Sequence, residues 1–197
     1  MKVLKGVLAT LLLIATPMLS EESVDFSDRA TPTCEMGGLI AYPPDGWFNV
    51  PFEDPPAGHL GCMMLLTNER EELVGILRIR SLTAPALDPG EEPYAALLAS
   101  EVTSIAEMNV SLAEEPLWVR KNVPVAGEGF REGRAVGLAA TIAGNDLPQE
   151  AHFLFFRSDA AEYVVTLLTP AKSVDETLYE RNTEDFGKVI RTLQPRR

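Results

Sequence analysis

The chain has 197 residues, 46% of them hydrophobic, and a net charge of −12. That length and apolar content suit one domain with a real core and exclude global disorder. The acidic balance repels nucleic-acid phosphates and anionic lipid headgroups and favours solubility; it could steer a basic partner, and it is also what many exported proteins carry without such a role.

Residues 1–20 read as a cleaved export signal. Lys2 and Lys5 open it, Val7–Ala15 is almost unbroken apolar sequence, and Pro17 and Ser20 end it before Glu21-Glu22. The apolar run is shorter than the ~20 residues that span a bilayer. The expectation is a periplasmic or secreted protein with no stable membrane insertion after cleavage. Residues 21–37 are polar and read as a flexible lead-in, and 38–197 as a single domain.

Within that domain, Leu39-Ile40-Ala41-Tyr42 predicts a short strand, stopped by the turn cluster Pro43-Pro44-Asp45-Gly46. Trp47–Pro51 follows as a brief extended piece. Cys62–Thr67 and Val74–Ile79 flank the charged turn Asn68–Glu72 and predict a hairpin. Glu91-Glu92-Pro93 opens a helix that runs to Met108-Asn109, with Leu98, Val102, Ile105 and Ala106 on its inner face. The second half predicts a β meander. Its pieces are Trp118-Val119 and Val123–Val125, then Ala135–Ala143, and then Ala151–Arg157 and Glu162–Thr169 joined tightly by Ser158–Ala161. Ser173 and Glu176 have capping-box spacing, and Phe186, Val189, Ile190 and Leu193 form one stripe of a final helix. The expected class is α+β: an antiparallel sheet of about six to seven strands with a mid-chain helix and a C-terminal helix packed on it.

Cys34 and Cys62 are the two cysteines. In an oxidising compartment they read as a disulfide closing a loop of about 28 residues. Two buried free thiols are the alternative, because Cys62 opens an apolar strand.

The order of elements resembles the PsbP-like fold. The resemblance rests on Tyr42-Pro43-Pro44-Asp45-Gly46-Trp47, on the helix at 91–108, on Val125-Ala126-Gly127-Glu128-Gly129, and on the ending Phe186-x-x-Val189-Ile190-x-Thr192-Leu193. It covers roughly 38–194. The superfamily holds an extrinsic photosystem subunit, a Ran-binding nuclear import factor and many small exported bacterial proteins. The resemblance implies a member that binds partners or assists assembly, and it implies no site residue.

No catalytic constellation stands out. His59 and His152 are far apart, and neither has a neighbour at metal-ligand spacing. No G-x-S-x-G elbow and no P-loop occurs. Gly127-Glu128-Gly129 lacks a following helix, and Asp88–Glu92 lacks calcium-loop spacing. Adjacent carboxylates such as Glu114-Glu115 read as solvated charge. The expectation is a non-catalytic exported domain without metal or cofactor that binds another protein. The sharper form is an immunity protein masking a basic toxin, with Glu69, Glu71 and Glu72 as contacts. Trp118 is a candidate aromatic contact whose alternative is a core strand residue. The alternatives are an envelope assembly factor and a cryptic hydrolase using His59 or His152.

Overall fold

The computed structural model describes residues 34–36, 39–50, 61–82, 93–125, 129–158 and 161–195. Expectations placed on 1–33, on His59, on Asp88–Glu92 and on Gly127-Glu128 lie outside the described residues.

Seven strands form one antiparallel sheet, and two helices pack on it. In chain order the sheet contains β3 (Trp47–Val50), β4 (Gly61–Thr67), β5 (Leu73–Leu82), β6 (Val110–Val123), β7 (Arg131–Ile142), β8 (Asn145–Arg157) and β9 (Glu162–Pro170). Across the sheet their order is β3-β4-β5-β9-β8-β7-β6. Helix α1 (Pro93–Ala106) lies between β5 and β6 in the chain, and helix α2 (Glu176–Thr192) follows β9. The expected order of hairpin, helix, meander and C-terminal helix is therefore the observed one, and the class is α+β.

A second, small sheet is built from β1 (Cys34–Met36), β2 (Leu39–Ala41) and β10 (Gln194–Pro195), with β2 in the middle. The end of the stretch expected as a lead-in thus contributes a strand. Cys34 and Cys62 are joined, with their Cα atoms 5.9 Å apart. Both cysteines are buried, so the bridge ties β1 to β4 inside the core.

Strand alternation sorts the core into two layers. Leu77 and Ile79, Leu154 and Phe156, and Val165 and Leu167 point to the layer under α2. Phe153, Phe155, Val164 and Leu168 point to the layer under α1, with Leu97 and Ile105. A sheet covered on both faces makes its central strands apolar at successive positions rather than alternating. Residues 163–169 of β9 are all buried.

Several boundaries differ from expectation. Strand β6 already begins at Val110, although Ser111–Leu117 carries no regular apolar pattern, because an edge strand with most side chains in water needs none. Strand β8 starts at Asn145 and runs through Pro148. The cap of α2 is Asp175 rather than Ser173: its Oδ1 accepts the Leu178 N–H at 2.9 Å. Helix α1 ends at Ala106, short of the expected Met108-Asn109, and residues 107–109 form a turn in which Asn109 takes a left-handed conformation at φ 58°.

The expected inner face of α1 is corrected. Leu97, Glu101 and Ile105 are its buried residues, while Leu98 and Val102 are half-buried and Ala106 is exposed. The helix is rotated so that a carboxylate, rather than an alanine, faces the sheet.

Replacing both cysteines with alanine should cost roughly 3 kcal/mol of stability, because the loop constraint on the unfolded chain is lost. Urea denaturation measures the cost. Thiol titration of the unfolded wild type without reductant should find no free thiol.

Candidate functional site

Three clusters of polar side chains join the helices to the sheet. The first surrounds Glu101, which is 0% exposed. Its Oε2 lies 2.6 Å from Arg80 Nη1, its Oε1 lies 3.5 Å from Arg78 Nη2, and Oε1 accepts the Thr166 hydroxyl at 3.0 Å. Arg78 also donates to Ser104 Oγ at 2.5 Å and to Met108 Sδ at 3.1 Å. Arg78 and Arg80 share a face of β5 because they are two residues apart, and Thr166 pairs with Arg78 on β9. Burial lowers the pKa of the Arg78 guanidinium, and the Glu101 charge opposes that shift. A hollow beside this cluster, between Ile76, Arg78, Ile105, Met108 and Thr166, holds about 10 Å³, room for about one water molecule.

The second cluster surrounds Asp185 on α2. Trp47 Nε1 donates to its Oδ2 at 2.9 Å, and Lys188 Nζ donates to its Oδ1 at 3.0 Å. One turn away, Asn182 donates to the Val74 carbonyl at 2.9 Å and to Thr169 Oγ1 at 3.0 Å. Gly75 makes this approach feasible: a Cβ there would lie 2.8 Å from the Trp47 ring and 3.0 Å from Asn182 Nδ2.

The third cluster contains His152. Trp118, Gly137, His152 and Leu167 occupy one cross-strand row on the α2 face. A Cβ on Gly137 would overlap the Trp118 indole, so glycine lets that ring lie across β7 and reach His152. The His152 ring is 5.1 Å from Trp118, 5.7 Å from Tyr179 and 6.4 Å from Phe186, each edge-to-face. Its Nε2 is 3.0 Å from Glu150 Oε2. A carboxylate can only accept, so Nε2 carries the donated proton. Arg120 lies 5.4 Å over the Trp118 ring. Burial pushes the His152 pKa down, against the pull of Glu150. Burial and the Glu150 carboxylate push the Tyr179 phenol up.

The residues expected as partner contacts do not converge. Glu69, Glu71 and Glu72 lie in the β4–β5 turn at one side of the sheet, and Trp118 lies in β6 at the far edge. Glu69 and Glu71 are exposed. Glu72 is half-buried and accepts Asn68 Nδ2 at 2.8 Å, so it is also part of the turn. Asn68 Oδ1 accepts the N–H groups of Arg70 and Glu72 at 2.9 and 3.0 Å. Trp118 is half-buried and packs inward on the core.

Sequence reasoning missed Glu101, Arg78 and Arg80, as well as Asp185 and Asn182. The alternation Arg78-Ile79-Arg80 inside an apolar strand was the available signal. The i, i+4 spacing of Leu97, Glu101 and Ile105 was a second. Among the described residues, no group of three or more histidine, cysteine, aspartate or glutamate side chains gathers as metal ligands would. None of the described helices is long and apolar enough to cross a membrane.

No family model matches the chain, and no curated protein matches it. Among solved structures it is similar to the Ran-binding protein Mog1p of Saccharomyces cerevisiae, at 10% identity and TM-score 0.48, over 80% of this chain and 89% of that chain. A point mutant of Mog1 aligns at 11% identity and TM-score 0.47, over 80% and 90% of the two chains. LpqN of Mycobacterium tuberculosis, described as involved in cell envelope biogenesis, aligns at 14% identity and TM-score 0.39, over 81% and 83%.

Two predictions follow from the clusters. Glu101→Ala should cost about 3–5 kcal/mol in chemical denaturation, because two guanidinium groups would remain buried without their carboxylate. The His152 environment sets the second. As pH falls through about 6.5, the unfolded chain binds a proton that buried His152 resists. Stability should therefore fall below that pH until the native histidine also titrates. In His152→Phe the decline between about pH 6.5 and pH 5 should be shallower. An equally steep decline would assign it to other groups.

Proposed function

We propose that this chain is a non-catalytic, exported domain that binds another protein. One observation carries the reading: the described side chains best suited to chemistry are engaged with one another between helix and sheet. Glu101 is held by Arg78, Arg80 and Thr166, Glu150 by His152, and Asp185 by Trp47 and Lys188. The groups left facing solvent are suited to contact. A buried disulfide is consistent with maturation in an oxidising compartment.

The finer reading is an immunity-type protein that masks a basic toxin, and its contact would be the β4–β5 turn. The Asn68 hydrogen bonds hold that turn in one shape, with Glu71 at φ 60°. Glu69 and Glu71 therefore project from a structured rather than a loose segment, which lowers the ordering cost of binding. Envelope assembly is the broader alternative, and it uses the same binding chemistry.

The test is in-cell cross-linking followed by titration of the recovered, purified partner. Charge reversal of Glu69, Glu71 and Glu72 to lysine should weaken affinity at least tenfold, mainly through slower association. Unchanged affinity would remove the turn from the contact. A hydrolytic activity of the pure protein that disappears in His152→Ala would overturn the non-catalytic reading.

A further inference from the structure

Strand β6 is one of the two edges of the large sheet. It has 14 residues, and most of them are exposed. At its centre, Leu117 is 53% exposed and Val119 is 43% exposed. A long edge with apolar side chains in water is a template for another strand.

The charges along this edge are arranged antisymmetrically. The sequence Glu114-Glu115-Pro116-Leu117-Trp118-Val119-Arg120-Lys121 carries two acids at one end and two bases at the other, and all four charged residues are exposed. A two-fold axis between Leu117 and Trp118 runs the strand antiparallel to itself. Glu114 then faces Lys121, Glu115 faces Arg120, and the apolar middle faces itself. Symmetry makes each ion pair twice. A parallel, in-register arrangement would instead put acid against acid and base against base, which is destabilising.

We propose that β6 is a self-association edge and that its occupant is β6 of a second copy of this chain, antiparallel, in the register that pairs Glu114 with Lys121. This surface is separate from the β4–β5 turn, so it does not depend on the partner-binding reading above. Two features keep the pairing limited. Pro116 has no N–H to donate, and the β6–β7 register shifts on either side of Pro116 and again between Arg120 and Val123. Such devices blunt an edge against indiscriminate strand addition. Side-chain charge rather than a long backbone ladder therefore selects the partner.

Sedimentation equilibrium of the purified protein over a range of concentrations tests the proposal. The wild type should show a concentration-dependent dimer. E114K/E115K and R120E/K121E should each weaken self-association at least tenfold while keeping the wild-type melting temperature. An equimolar mixture of the two should associate again, because each supplies the charges the other needs. If a reversal compromises folding, E114Q/E115Q serves as the milder variant and should also weaken the dimer. A wild type that stays monomeric at the highest attainable concentration would overturn the proposal and leave the edge to a strand of a different protein. Reversed variants that dimerise as well as wild type, or a mixture no better than its components, would also overturn it.

Discussion

The hairpin β8–β9 must be covered on both faces, and the remaining elements are placed by that need. Phe153, Phe155 and Val164 point to one side, and Leu154, Phe156, Val165 and Leu167 point to the other. Burying a large aliphatic or aromatic side chain is worth about 1.5–3 kcal/mol. Neither face can therefore stay in water. Helix α1 covers one layer, while α2 and the small sheet cover the other. The disulfide then ties the small sheet to β4.

Apolar layers pack by shape, and charges and hydrogen bonds add a directional requirement. Each helix meets the sheet through a carboxylate with specific partners: Glu101 of α1 on Arg78, Arg80 and Thr166, and Asp185 of α2 on Trp47. Glu150 plays the reverse part, since it lies on the sheet and holds His152 beneath α2. These ties give little net stability compared with apolar packing, but breaking one leaves a buried charge uncompensated. Gly75 and Gly137 admit the rings of Trp47 and Trp118 close to the sheet.

The polar groups of the described residues are allocated unevenly. His152 is 4% exposed and enclosed by Trp118, Tyr179 and Phe186. The hollow beside Arg78 and Thr166 is water-sized. The outer surface differs from one side to the other. A hydrogen-bonded acidic turn connects β4 to β5, and the edge strand β6 carries both charge signs.

Local chemistry determined much of this protein from the sequence alone. Turn residues at Pro43–Gly46 and Ser158–Ala161, the β-branched run Tyr163–Leu168 and the stripe Phe186, Val189, Leu193 gave the order of the main elements and the α+β class, but not the small sheet of β1, β2 and β10. Two cysteines gave one possible disulfide. The same residues could not reveal what held the helices in place. Glu101 carried no local signal of its partners, and Trp118 read either as a core strand residue or as an anchor for a partner. Asp185 lay unnoticed 138 residues from the Trp47 it binds. Only the tertiary structure decided these roles. A buried carboxylate is acceptable solely where distant strands bring it cations or hydrogen-bond donors, and that compensation has no local signature in the chain.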